Sequence, residues 1–392
     1  MKAIPQRIAA FVIQLGLWWL PRGRHVVIHG WPADEGNVVE IARALYQRYD
    51  HKIVWIDPPD ATRLAALGLP THPTNFVYLR KASLRAVVAF CTAEIVFFTH
   101  GLYFCPRPSK RKTLVNLWHG DGPKANTGAV IRSTFLVSGS ATFGEYRAGF
   151  FKVPVDNLLL TGYPRIDQLD LPSSPLALAS LGISPDKKFV LWLPTYRDAS
   201  GDGRNGSWSD TTGENTDDQV NTDFSAAVLA LGEHGIQTVV KPHPLDASAR
   251  DIPQAITLGD EDIRAAGTTL YHLLGASSGV LTDYSSIWTD YLHLDRPIGF
   301  FTPDLESYMN GRGLEPADTM AHLPGPTLQS ALDFDAFARE VESGTPTSKA
   351  SRDSARKKFR IIQTQSPAND LIDELVLRKA FDADHHGSDT KA

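Results

Sequence analysis

Two histidines stand directly after short apolar runs: His119 in the stretch Leu114 to Lys124, and His243 in Val239 to Pro244. An imidazole titrates near neutrality, so His119, delivered by a strand into a turn with Gly120 and Gly122, can take a proton from an attacking hydroxyl. Asp121, two residues on, can orient that ring or share its work; the plain alternative is a turn histidine bonded to backbone. His243 sits between Pro242 and Pro244, which fix its loop, and close to Lys241. A lysine and a histidine at one strand end suit an anionic ligand, because both donate to phosphate oxygens and offset charge on a leaving group. Pro-flanked histidines also occur as ordinary turn residues.

A third segment, Gly279 to Tyr291, runs from an apolar strand through Asp283 to paired hydroxyls, Ser285 and Ser286, and on to Asp290. It reads as a strand-to-helix turn whose free N–H groups and hydroxyls attract a phosphate, or as a helix start that Asp283 or Ser285 merely caps. Two further strand ends carry arginines: Leu193 to Asp198, with Pro194, Thr195 and Arg197, and Leu160 to Asp167, with Arg165. Guanidinium forks bind phosphate or carboxylate bidentately, while an Arg165–Asp167 or Arg197–Asp198 surface pair is the alternative. Five such segments, all at strand ends, point to one cleft.

The elements that must position them are legible as two α/β series. The first reads as a strand at 26–30, a helix from about Asn37 to Tyr49 and a strand at 52–57, a βαβ unit that predicts a parallel sheet. More strands follow at 76–79, 94–98 and 113–118, with a helix around 83–90. The second series has strands at 189–193, 238–241 and 280–281, with helices near 224–234 and 268–274, and predicts a second doubly wound unit. The expected boundaries are an apolar, basic segment at 1–24, a first Rossmann-like domain on the acceptor side at 25–167, and a second, donor-binding one at 168–348. A helical region at 349–381 and a disordered tail at 382–392 follow. Ser200 to Asn221, rich in Gly, Ser, Asp, Asn and Thr, reads as a long exposed loop and a candidate mobile flap.

Residues Ile8 to Leu20 are apolar and flanked by Lys2, Arg7, Arg22 and Arg24. The run is too short to span a bilayer, which takes about 20 apolar residues, and no small-residue cleavage site follows it. Two readings stand level: an interfacial helix with Trp18 and Trp19 at headgroup depth, or a helix docked on the protein's own core. A length of 392 residues exceeds what one core usually supports, which agrees with two domains. The net charge of −5 gives no general attraction to nucleic acid. Cys91 and Cys105 have no metal-ligand spacing, and Asp260-Glu261-Asp262 reads as a solvated loop or helix start, so no metal site and no cofactor are expected. A cytoplasmic setting fits the two cysteines.

The ordered set of segments resembles the CDP-glycerol glycerophosphotransferases of teichoic acid and capsule synthesis, both primases and polymerases. The resemblance runs from Tyr78 to Tyr308 and is carried by Tyr78 to Lys81, Trp118-His119-Gly120, Gly162 to Asp167, Pro194 to Asp198, Lys241 to Pro244, Thr282 to Ser286 and Asp304 to Tyr308. It implies a GT-B-like α/β fold of two Rossmann-like domains facing a cleft, with peripheral attachment to the inner face of the cell membrane. It also implies transfer of glycerol phosphate, or a related polyol phosphate, from CDP-glycerol or a similar CDP-polyol to a lipid-linked saccharide or growing polymer, with release of CMP. By the same resemblance His119 is the general base and His243, Ser285 and Ser286 are diphosphate contacts. Arg165, Pro194, Thr195, Lys241 and Asp290 match donor-binding positions. One departure stands beside the base: the family usually continues Trp-His-Gly with Thr-Pro-Leu-Lys, where this chain has Asp121 to Lys124. A carboxylate next to His119 is expected to raise its pKa. A glycosyltransferase using a nucleotide sugar shares the fold, and a noncatalytic nucleotide-binding protein shares the cleft.

Overall fold

Short, almost wholly apolar strands need cover on both faces, and in the computed structural model they form two all-parallel sheets. The structure describes residues 3–50, 52–71, 73–195, 215–242 and 252–380. The first sheet contains β1 (His25–His29), β2 (Lys52–Ile56), β3 (Phe76–Leu79), β4 (Ile95–Phe98), β5 (Thr113–Asn116), β6 (Phe135–Val137) and β7 (Leu158–Leu159), in the order 3-2-1-4-5-6-7. The second contains β8 (Phe189–Leu193), β9 (Gln237–Val240), β10 (Ile256–Thr257), β11 (Gly279–Thr282) and β12 (Ile298–Phe300), in the order 10-9-8-11-12. Strand order therefore reverses beside β1 and β4 in one sheet and beside β8 and β11 in the other. Ligands of open α/β sheets collect at such switch points, beyond the carboxyl ends of the strands.

The helices of the first unit are α1 (Ala3–Trp19), α2 (Gly36–Arg48), α3 (Ala61–Ala66), α4 (Leu84–Thr92) and α5 (Ala141–Phe151). A 3-10 stretch, Pro164–Asp170, lies between the first sheet and the second in the chain. The second unit carries α6 (Pro175–Ser180), α7 (Asn215–Glu233), α8 (Asp260–Ala265), α9 (Leu270–Ala276), α10 (Ile287–Tyr291), α11 (Leu305–Gly311) and α12 (Ala331–Ser343). The chain closes with α13 (Lys349–Lys358) and α14 (Pro367–Leu377).

The C-terminal helical region crosses back onto the first unit. Arg48 of α2 pairs with Asp373 of α14, Ile361 bridges Ser140, and the Ile362 N–H donates to Gly139 O at 2.8 Å. One apolar cluster runs from Val26 and Leu45 of the first unit through Leu371 and Ile372 of α14 to Leu191 and Val280 of the second. The two units thus share a core.

Helix α1 docks on the protein's own core, one of the two readings its sequence left level. Its inner face docks: Leu17 is fully buried and Ile13 nearly so, against α4, and the Lys112 ammonium donates to Leu17 O at 2.8 Å, close to the α1 C-terminus. Its outer face leaves Phe11, Val12 and Trp19 exposed. Of the expected loop at 200–221, residues 200–214 lie outside the described residues, and 215–221 are helical as the start of α7, a correction to the loop reading. The expected tail at 382–392 also lies outside them. Asp260-Glu261-Asp262 opens α8, where acidic groups favour the N-terminal end of the helix dipole.

Candidate active site

Strand β5 ends in a turn set by its own side chains. Asn116 Oδ1 accepts the Trp118 N–H at 2.9 Å, an Asx turn, and Trp118 takes a left-handed φ of 52°, a conformation that costs energy in a bulky residue and persists only where surroundings enforce it. Enforcement comes from packing: the Trp118 ring meets Phe151 at 4.9 Å and the Arg147 guanidinium of α5 lies 5.1 Å above it. The turn delivers His119 beyond the carboxyl end of β5, where it is exposed. There its ring stacks on His100, with centroids 4.4 Å apart and planes within 5°. Desolvation by surrounding protein holds the His119 pKa well below the usual value, and His100, Arg147, Arg165 and Lys124 lower it further. The ring is therefore neutral at neutral pH, the state a general base requires.

Asp121 does not do what its position in the sequence suggests. Its carboxylate is buried and turned away, accepting hydrogen bonds from Gly139 N at 2.7 Å, Ser140 N at 3.0 Å, Tyr163 OH at 2.9 Å and Ser138 Oγ. Among the described residues none of its partners is His119, and the His119 pKa is lowered rather than raised. The expectation that Asp121 orients the base or lifts its pKa is corrected: the carboxylate anchors the loop beneath it.

The turn also seals the two units. Added to Gly120, whose φ is 132°, a Cβ would lie 2.7 Å from Arg165 Nη2 and 3.0 Å from Ser286 Oγ; on Gly122 it would lie 2.6 Å from Ser286 Cβ. Glycine at both positions is what lets the backbone approach this closely. Thr289 Oγ1 lies 2.9 Å from Asp121 O, holding α10 to the turn. Arg165, buried, donates from Nη2 to Asp290 Oδ2 at 2.6 Å and from Nη1 to His119 O at 2.8 Å, between the rings of Tyr163 and Tyr271. Arg165 and Asp290 are thus engaged with each other and with the turn, and among the described residues Arg165 pairs with Asp290 and Glu35 rather than with Asp167. As placed, the Arg165–Asp290 pair positions the His119 turn.

The donor-side positions are likewise joined to one another. Asp283, at the end of β11, accepts from Thr195 N at 2.8 Å and Ser285 N at 3.2 Å, so it ties the loop after β8, with Pro194 and Thr195, to the serine turn. Ser286 caps α10 without a side-chain hydrogen bond, and α10 is only five residues long. Lys241, at the end of β9, is buried and ion-paired with Asp260 at 2.8 Å. His243 and Arg197 lie outside the described residues. Among those described, no three His, Cys, Asp or Glu side chains gather to hold a metal ion.

Four contributors escaped the sequence reading. Asn37, at the start of α2, donates to Trp118 O at 3.2 Å and accepts from Arg165 N at 3.1 Å. Glu35 caps α2 through Asn37 N at 2.9 Å, and burial, opposed by Arg165, pushes its carboxyl up to about 7. His100 and Arg147 are the others. The available signal for the first two was their place in the first βα turn, where doubly wound units meet ligands.

Comparison with known proteins follows from this geometry. The model of the CDP-glycerol:poly(glycerophosphate) glycerophosphotransferase family matches residues 32–376. The chain belongs to this family. The teichoic acid poly(glycerol phosphate) polymerase of Bacillus spizizenii is 27% identical over 371 residues, 84% of this chain and 86% of the relative. The Bacillus subtilis protein of the same description is 26% identical over 306 residues, which cover 70% of this chain and 38% of that one. A teichoic acid glycerol-phosphate primase of B. spizizenii is 26% identical over 215 residues, 53% of this chain and 51% of the primase. The chain therefore spans well under two thirds of two of these three relatives. The solved wall teichoic acid polymerase TagF shares the fold with a TM-score of 0.67 at 18% identity, over 96% of this chain and 93% of that one. The glycerophosphotransferase family member described here is thus GT-B-like, as its sequence implied. A UDP-N-acetylglucosamine 2-epimerase shares the architecture more loosely, with a TM-score of 0.51 at 13% identity over 95% of this chain and all of that one.

Proposed function

We propose that the protein transfers glycerol phosphate, or a related polyol phosphate, from a CDP-alcohol to a hydroxyl of a lipid-linked saccharide or growing polymer, releasing CMP. The observation that carries the reading is His119, exposed at the end of β5 where the two Rossmann-like units meet, in a chain of this family. In this reaction His119 takes the proton of the acceptor hydroxyl as its oxygen attacks the glycerol-bearing phosphorus. The new P–O bond forms as the bond to CMP breaks, and CMP leaves with the electron pair. Such transfers rest mainly on positioning and on charge stabilisation. Positioning comes from Arg165, Asp290 and Asn37, which hold the backbone on either side of His119. Charge on the leaving phosphate falls to the donor side, at Lys241, His243, Ser285 and Ser286.

The proposal includes attachment to the inner face of the cytoplasmic membrane. It is supported by the exposed apolar face of α1 with exposed Arg24 beside it; no described helix is long and apolar enough to cross a membrane. The deciding experiment measures CMP release from CDP-glycerol with and without a lipid-linked acceptor, with UDP-sugars in parallel. Acceptor-dependent CMP release that disappears in His119→Ala and survives a chelator is expected. UDP release from a sugar donor alone would make the protein a glycosyltransferase, and binding of CDP-glycerol without CMP release would make it a binding protein. Rescue of chelated enzyme by a divalent cation would overturn the metal-free form.

A further inference from the structure

A cavity of about 850 Å³ opens on the first unit beyond the carboxyl ends of β2, β3 and β4, next to the switch point between β1 and β4. Its volume is that of a small-molecule site. Donor-side residues lie on the second unit, so the proposed reaction leaves this cavity unused. Three features of its wall differ in kind.

The floor is basic. Arg80 and Lys81 line it, with Asp57 as the opposing carboxylate. Asp57 accepts the Lys81 backbone N–H at 2.9 Å, and the Arg80 side chain has no carboxylate or hydrogen-bond partner among the described residues. The Lys81 ammonium is aimed by His29: the His29 Nδ1–H donates to Ile56 O at 3.0 Å, leaving Nε2 as the acceptor for Lys81 Nζ at 3.2 Å. Two cations against one carboxylate fit an anion, and the guanidinium fork suits a phosphate.

The inner end is the base. His100 lines the cavity and is the ring stacked on His119. The outer rim is apolar. Ile13 of α1 and Phe104 line it, and exposed Phe104, Leu84 and Val88 of α4 continue the exposed face of α1. Arg107, whose carbonyl accepts from the Trp18 indole at 3.2 Å, adds positive charge beside that helix. An apolar surface with cations at its edge suits a molecule held in a membrane by its tail.

We propose that this cavity is the acceptor subsite: it seats the phosphate that joins a membrane-held acceptor to its lipid, with Arg80 and Lys81 on the phosphate, the lipid along α1 and α4, and the free hydroxyl presented to His119 beside His100. The assignment rests on the transferase reading, and names the half of the substrate pair that the second unit does not hold.

The test uses the full chain with two probes. Dodecyl diphosphate binding is followed by calorimetry, and turnover is followed with CDP-glycerol and a dodecyl-diphosphate-linked saccharide. Arg80→Ala changes an exposed, unpaired side chain; Ala82→Trp fills the cavity from another exposed lining position, so both variants are expected to fold. Each should weaken dodecyl diphosphate binding at least tenfold and raise the acceptor KM by a similar factor, with the CDP-glycerol KM within twofold of the parent. Unchanged binding and acceptor KM in both variants would overturn the subsite. So would equal binding of inorganic diphosphate, which lacks the tail, or equal competition by phosphatidylglycerol vesicles, which would make the surface a general lipid contact. Tight, Arg80-dependent dodecyl diphosphate binding by a parent protein that releases no CMP would uphold the subsite and sink the transferase reading alone.

Discussion

Arg147, Arg165 and Lys124 surround His119 with positive charge, and the ring's desolvation acts in the same direction. A base works unprotonated, so activity is lost as pH falls through its pKa; because that pKa is depressed, the acid limb of kcat/KM should lie below pH 6.5. Arg147→Gln removes one cation and should move the limb toward higher pH, whereas an unmoved limb would show that Arg147 does not set the base. Asp121→Asn makes a different prediction. An amide must turn its NH₂ toward the N–H groups of Gly139 or Ser140, or toward a hydroxyl, and the mismatch should cost about 1–3 kcal/mol of stability. Denaturant unfolding checks it, with no shift of the pH profile expected beyond that of a weakened turn. The same residue shows where sequence adjacency misleads. His119 was legible because a strand end delivers it, but Gly120 at φ 132° reverses the chain and sends the Asp121 side chain to the opposite side. A sequence read without dihedral angles puts both side chains in one place.

Between elements, the buried pair of Arg165 and Asp290 joins the 3-10 stretch to α10 and, through His119 O, to the end of β5. Removing one partner of such a pair leaves a buried charge uncompensated, at roughly 3–5 kcal/mol. Asp290→Ala should therefore lower stability by about that amount and reduce kcat more than it raises the CDP-glycerol KM; a KM effect alone would return Asp290 to the donor. Strand and helix assignments made from sequence were accurate where apolar runs were long, as at Phe189–Leu193 and Phe76–Leu79. Strands β6 and β7, with three and two residues, carry too little periodicity to register, although they complete the sheet. Polar residues at 215–221 gave α7 the composition of a loop, and no apolar stripe marks that part of the sequence.

At the scale of the molecule, the proposed membrane face is a composite of packed and exposed side chains. Because Leu17 and Ile13 are buried, deleting residues 1–20 would open the core as well as remove the surface, so point changes are the cleaner probe. Phe11→Ser with Trp19→Ser, both well exposed, should reduce sedimentation with anionic liposomes several-fold and leave thermal unfolding unchanged. Undiminished sedimentation would assign the contact elsewhere. Two α/β units and a cleft were readable from the alternation of elements; the cavity beside β4 was not. Its wall is assembled from Asp57, Lys81 and His100, which lie at three separate strand ends and meet only through the register of the parallel sheet.

The last helices do more than cover the first unit. Ile362 N–H holds Gly139 O, Ser140 Oγ donates to Phe359 O at 2.6 Å, and those two loop residues hold Asp121 under the catalytic turn. During synthesis, both sheets can leave the ribosome before this strap exists. A chain halted ahead of residue 359 carries both sheets and His119, yet no brace beneath that residue. The geometry of the His119 turn is thereby tied to translation having run nearly to its end.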